Sequence, residues 1–442
     1  MNVSTHSRNM SGDVVSTGPK PPSSIAATGL DDVFLIDLLT KTVESMGLDR
    51  PSEMAHALKL PRWIVDELLE MAVEMKLFYA VGQLGANLNA EMRYAITDRG
   101  RERAREAFEK NQWIGPAPVP LEQFVEQAKN QSIKGETLTR EMLERAFDDL
   151  TLSESVMQQL GPAANSGQSI MLFGPPGNGK STIAEHFCHA YHHGVFIPHA
   201  LEVDNQIITL YDPTVHIAID TDEHGDGVLR RSHSGHDQRY VLCRRPAVIT
   251  GGELSLEKLD LAYSPEARIY EAPYQLKACG GVFVVDDFGR QRHKPQELVN
   301  RLIVPLENRV DYLSLKTGRK FEVPFDTLVI FSTNIDPESL LDTAGLRRIR
   351  FKIPIMPPDR NQFVRIFART AQRNGMDLNE ETLAFVLFEL YAKTPNATFH
   401  AFHPRFLVEQ SLAICAYEGV APQLKPEFLR RAWAHMVTQT AT

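Results

Sequence analysis

Two short runs of this sequence carry residue types at spacings that suit phosphate chemistry. The first is GPPGNGKS, residues 174–181, which fits G-x-x-x-x-G-K-[ST]. A short apolar run (QSIMLF, 168–173) leads into it and a helical pattern (STIAEHFCHAY) follows, as that motif requires. Gly174, Gly177 and Gly179 let successive backbone N–H groups turn inward around phosphate oxygens. Lys180 places a point charge on the β- and γ-phosphates, Ser181 can ligate Mg²⁺, and the helix N-terminus adds its dipole. With Pro175, Pro176, Asn178 and Thr182, these residues form a candidate nucleotide loop. The second run is GGVFVVDDFGR. Its apolar stretch predicts a buried strand, and two acids stand at the end of it. Asp286 is placed to hold the metal through water, and Asp287 to polarise an attacking water. The Asp-Phe-Gly within this run is no kinase signal, because no His-Arg-Asp catalytic loop precedes it.

Elements must position these residues, and 442 residues suffice for two or three domains. Residues 1–30 are rich in Ser, Thr, Gly and Pro and read as a disordered tail. Residues 31–112 show three helical patterns, two short extended pieces and a charged helix, and so resemble a winged-helix domain. The helix that would read DNA there holds Asp66, Glu67, Glu70 and Glu74 against Arg62 and Lys76. Such a face repels phosphates, so protein docking is the expected role of this domain and nucleic acid is disfavoured. GPAPVP opens a linker, 113–135, and an α/β unit is expected over 136–358. Within it, VFIPHALEV and VHIAID look like strands, and DEHGDGVLRRSHSGHDQ like a polar loop. Four helical patterns fill 359–442.

The net charge of −9 excludes a constitutive nucleic-acid coat. Four cysteines are too few for a disulfide framework, and no apolar run reaches membrane-spanning length. A cytoplasmic protein without membrane insertion is expected. His186, His189 and His193 suit one helix face, and His233 and His236 have HxxH spacing. Spacing alone does not make a metal site.

GPPGNGKS together with VFVVDD resembles the AAA+ ATPases. That resemblance covers roughly 136–442 and implies an α/β P-loop core with a parallel sheet and a C-terminal α-helical lid, binding ATP and Mg²⁺. It assigns Asn334, in TLVIFSTNID, as a polar sensor. LRRIRFKIP resembles the segment that ends in an arginine finger, with Arg350 favoured, Arg347 next and Arg348 also open. Such an arginine acts on a neighbour's nucleotide, which implies a homo-oligomeric ring, expected to be hexameric. Arg405 matches a second sensor at the start of the third lid helix. RVDYLSLKTGRKFEVPFD resembles the hairpin of the MoxR-type and helicase-like branch, whose tip often faces a pore; Lys316, Arg319 and Lys320 would then touch substrate, a solvated turn being the alternative. One residue departs from the family, which usually has Asp-Glu where this chain has Asp286-Asp287. The shorter side chain leaves two possibilities, slow hydrolysis or a compensating backbone shift. The function implied is that of bacterial ATPases with chaperone activity, which remodel or assemble a client protein. A DNA-acting motor or transcriptional activator and a non-hydrolysing ATP switch are the alternatives.

Overall fold

A computed structural model describes residues 18–83, 91–219 and 235–436. At its centre is a five-stranded parallel sheet of β1 (Ile170–Phe173), β2 (Ala247–Thr250), β3 (Gly281–Val285), β4 (Thr327–Thr333) and β5 (Phe351–Pro354). The spatial order is β5-β1-β4-β3-β2. Helices cover both faces of the sheet, so its strands read as near-continuous apolar runs. Alternate residues divide between the two layers. Ile170, Leu172, Val282, Val284, Leu328 and Ile330 pack with Ile183 and Phe187 of helix Lys180–Ala190. Met171, Phe283, Val285, Val329 and Phe331 face the opposite layer, with Leu298, Val299 and Leu302 of helix Pro295–Asn308. The fold class is therefore α/β with a parallel sheet, as expected.

A second five-stranded sheet lies beside the first. Its order is Ala262–Ser264, Ile269–Glu271, Gln206–Thr209, Ala200–Val203 and Val119–Pro120. The antiparallel pair Val195–Pro198/Tyr240–Cys243 and the hairpin Val310–Ser314/Lys320–Pro324 share its core. The latter is the hairpin singled out in the sequence. Lys316 lies 3.9 Å from the ring centroid of Tyr263, and Arg319 and Lys320 are exposed. The described residues of VHIAID, 215–219, form no named strand. Ala218 makes a single bridge to Cys243, and His216 turns inward to bond the Asp212 N–H and the Lys277 carbonyl. Most of the polar loop after it, with His233, lies outside the described residues.

The stretch 113–135 is more than a connector. Helix Leu121–Asn130 starts at Pro120, and Val119, Phe124 and Ala128 are buried in the second core. Prolines that read as linker composition here end a strand and begin a helix. Of the tail, residues 1–17 lie outside the described residues. Residues 18–30 are strapped down: Ile25 and Leu30 are buried, the Asp237 N–H bonds the Pro19 carbonyl, and buried Arg239 donates to the Thr28 carbonyl.

Helices Asp32–Met46, Pro51–Leu58 and Arg62–Glu74 precede the antiparallel pair Phe78–Gln83/Met92–Ile96 and helix Asp98–Lys110. Leu35, Leu39, Ile64, Leu68 and Phe78 form their core. The C-terminal unit holds helices Arg360–Arg373, Glu380–Ala384, Phe402–Glu418 and Pro426–Met436, as the periodicity predicts. The second of them widens into a π-helix over Phe385–Tyr391. Among the described residues no helix is long and apolar enough to cross a membrane.

Two consequences are measurable. Arg245 and Glu136 form a buried ion pair at 3.0 Å. The same guanidinium donates to the Gln131 and Gly280 carbonyls, joining the segment before the α/β unit to the start of β3. Arg245→Leu takes the guanidinium from a buried carboxylate that keeps the His192 and His193 N–H groups, which costs at most about 3–5 kcal/mol and is expected as a lowered denaturant midpoint. In the C-terminal unit, His403 accepts from Tyr391, and burial drives its pKa down to about 4. The unfolded chain then takes up this proton first, so stability is lost as pH falls from about 6.5 toward 4. Trp433 fluorescence, with Trp63 and Trp113 replaced by Phe, should report that loss, and His403→Leu should make the slope shallower, while His199, whose pKa burial also lowers to about 4, keeps part of it.

Candidate nucleotide site

β1 runs out of the sheet directly into the glycine loop. Gly174 and Gly177 have φ of +135° and +75°, which L side chains rarely adopt. A Cβ at Gly174 would stand 2.5 Å from the Ile355 carbonyl oxygen, and one at Gly177 2.3 Å from Cδ1 of Phe402. Gly179 begins helix Lys180–Ala190. Lys180 is 6% exposed and bends back over the loop, its Nζ donating to the Gly174 and Pro175 carbonyls at 2.9 Å each. Burial lowers its pKa, while the charges of Asp286 and Asp287 act in the opposite sense.

Two strand ends meet this loop. Ser181 Oγ donates to Oδ1 of Asp286 at 2.8 Å, immediately past β3. Asn334, just past β4, donates through Nδ2 to Oδ1 of Asp287 at 3.3 Å. Asp287 itself lies in the left-handed region with φ +46°. A serine hydroxyl and a carboxylate oxygen already in contact are hard donors of the kind Mg²⁺ takes alongside phosphate and water, so Ser181 and Asp286 could hold it. Among the described residues, no three His, Cys, Asp or Glu side chains converge as a metal cluster. His186 is instead bonded to the Thr182 carbonyl.

A cavity of about 610 Å³ opens between the loop and the C-terminal helices. Residues 177–183, Asp287 and Asn334 line one side; Leu150 and Leu152 with Ile366 give an apolar wall, and Arg369, Arg373 and Arg405 line the side of the C-terminal unit. The site residues expected from sequence thus fall into two groups. The loop, Asp286, Asp287, Asn334 and Arg405 lie at or beside one cavity. Arg405 is 77% exposed and paired with Glu409 at 2.7 Å. Arg347 and Arg350 are exposed and outside this lining; Arg348 pairs with Glu307 at 3.3 Å.

Three features of the cleft were not anticipated. Residues 400–402 clasp the loop tip: the Phe402 N–H donates to the Gly177 carbonyl at 3.0 Å, the Ala401 N–H to Oδ1 of Asn178 at 3.2 Å, and Nδ1 of His400 bonds the Pro176 carbonyl at 3.2 Å. Arg369 and Arg373 tie helix Arg360–Arg373 to the Asp148 carbonyl and the Asp149 carboxylate. Gln291 bonds the turn after β3. None of these belongs to a periodic pattern or a spaced motif. The nearest signal was the run of aromatic and histidine residues in TFHAFHPRF.

The clasp makes Gly177 the position most sensitive to a side chain. Gly177→Ala must strain the backbone and push Phe402 away. A fluorescent ATP analogue should bind this variant at least about tenfold more weakly, which corresponds to about 1.4 kcal/mol, with unchanged circular dichroism. Equal affinity would show that loop and lid need not be in contact for binding.

Comparison with known proteins adds modestly to this geometry. Residues 359–435, the C-terminal helical unit, match a family model described as a domain of unknown function, DUF8689. No curated protein sequence matches the chain. Among solved structures the chain is similar to NtrX from Brucella abortus, with 14% identity over 78% of this chain and 69% of that one, at a TM-score of 0.40. It is also similar to the Thermotoga maritima RuvB Holliday junction branch migration motor, with 12% identity over 66% and 72% and a TM-score of 0.35. At such distances, what the cleft can do has to be argued from its own residues.

Proposed function

We propose that this chain is an AAA+-type protein that binds and hydrolyses ATP as a homo-oligomeric ring, expected to be a hexamer, and uses the cycle to remodel or assemble a client protein. The observation that carries the reading is the convergence of Lys180, Ser181, Asp287, Asn334 and Arg405 on one cavity. Lys180 exchanges its two carbonyl partners for β- and γ-phosphate oxygens. Ser181 and Asp286 would hold Mg²⁺, which would neutralise phosphate charge. Asp287 orients the attacking water and takes up its proton, and Asn334 fixes the carboxylate. Arg405 reaches the phosphates from the lid once it leaves Glu409. Arg350 or Arg347, exposed away from this cavity, acts on the neighbouring subunit's nucleotide.

Residues 31–112 are assigned as a winged-helix-like adaptor that docks protein. The exposed face of helix Arg62–Glu74 presents Trp63, Glu67, Glu70 and Glu74, a face suited to protein and hostile to phosphate. A non-hydrolysing ATP switch is the second reading, favoured by the short side chain of Asp287.

Steady-state ATP hydrolysis over a range of protein concentrations, with Lys180→Ala as the blank, separates the two. Specific activity should rise with concentration, and Arg350→Ala or Arg347→Ala should remove the rise. Nucleotide binding with turnover no higher than the blank at every concentration would exclude the motor and leave the switch.

A further inference from the structure

Gln291 has no part in the chemistry above, yet it is 8% exposed and fully engaged at the acid turn. Its Nε2 donates to the carbonyls of Asp286 at 3.0 Å, Gly251 at 3.2 Å and Asp287 at 3.4 Å. Its Oε1 accepts from the Gly289 N–H at 2.9 Å. Gly251 immediately follows β2, so one side-chain amide binds the turn after β3 to the end of the neighbouring strand. On the other side, the Phe288 N–H bonds the Ser332 carbonyl at 2.7 Å, and Thr333 Oγ1 donates to the Phe288 carbonyl at 2.7 Å. The turn is gripped from both adjacent strands.

What the grip holds is Asp287 at φ +46°, a region that L residues enter at a cost, smaller for Asp and Asn than for others. A residue in that state persists where its surroundings over-determine it. Moving φ from negative to positive re-aims the Cα–Cβ bond, and here the re-aimed carboxylate meets Asn334 on the cavity wall. We propose that Gln291 is the positioning residue for Asp287: its amide holds the left-handed backbone that lets an aspartate do the work of a longer side chain. The proposal rests on the hydrolysis reading and deepens it. Gln291 does not line the cavity and acts through Asp287 alone.

The test uses the full chain at a concentration where wild-type specific activity is maximal. It compares kcat, KM and affinity for a fluorescent ATP analogue in Gln291→Leu, Asp287→Asn and the double variant. Gln291→Leu should lose about tenfold or more in kcat with KM and analogue affinity within about twofold, and it should cost nothing further in the Asp287→Asn background. Gln291→Met, of similar volume and without the amide, should lose kcat in the same way, and it carries the test if the leucine variant does not fold. An unchanged kcat in the folded variant, or an equal fractional loss in the wild-type and Asp287→Asn backgrounds, would overturn the positioning role while leaving hydrolysis intact. Wild-type turnover no higher than Lys180→Ala would overturn the hydrolysis reading itself, and the positioning role with it.

Discussion

The register between β1, β4 and β3 sets where every candidate residue of the cleft stands. Thr333 pairs with Phe173 and Phe331 with Val285, so the three strands deliver their ends to one rim of the sheet. From that rim β1 continues into the glycine loop, β3 into Asp286 and Asp287, and β4 into Asn334. Parallel pairing with both faces covered leaves the apolar interior of each strand no alternative alignment, since a one-residue slip would exchange the two packed layers. The polar ends inherit that precision.

A rim of polar groups this close together must satisfy itself. Lys180 uses two carbonyls of its own loop, Ser181 uses Asp286, and Asn334 uses Asp287. Leaving any of these unpaired while partly buried would cost more than the bond returns. The same bonds define the chemistry. On the proposed reading Lys180 and Ser181 would exchange these partners for phosphate and metal while Asn334 keeps Asp287, so binding would be an exchange of partners instead of the desolvation of free charges. Burial that lowers the pKa of Lys180 adds to this, because an anionic phosphate offers the ammonium more than two neutral carbonyls can.

Much of this architecture was legible in the sequence, because its signals are local. The apolar runs of β1, β3 and β4 and the polar residues that end them announce a parallel sheet with a functional rim, and the C-terminal helices follow from their periodicity. What escaped depends on contacts distant in sequence. Gly18 and Pro19 belong to a composition that reads as tail, yet they meet Phe196 and Asp237. Phe124 sits in a helix begun by a proline that looks like linker. Gln291 and Phe402 act through carbonyls and a glycine Cα, groups that every residue or none could announce. For Asp287 the sequence left slow hydrolysis and a compensating backbone shift both open, and its left-handed φ is a feature that residue types could not announce.

The clasp between loop and lid adds a mechanical constraint that the rim alone does not. Three hydrogen bonds and the Phe402 ring fix the loop tip to the start of helix Phe402–Glu418, while Arg369 and Arg373 fix helix Arg360–Arg373 to residues 148–149 across the cavity. The C-terminal unit is therefore held at two points on opposite sides of the cleft. Its core of Phe363, Phe367, Tyr391, Leu407 and Trp433 packs these helices as one body. A displacement of the loop tip must either break the clasp or carry that body with it. Since close-packed interiors deform little, the second course preserves more contacts. Loop tip and C-terminal helices are thus joined by direct contacts, and a change at one is met by packed atoms of the other.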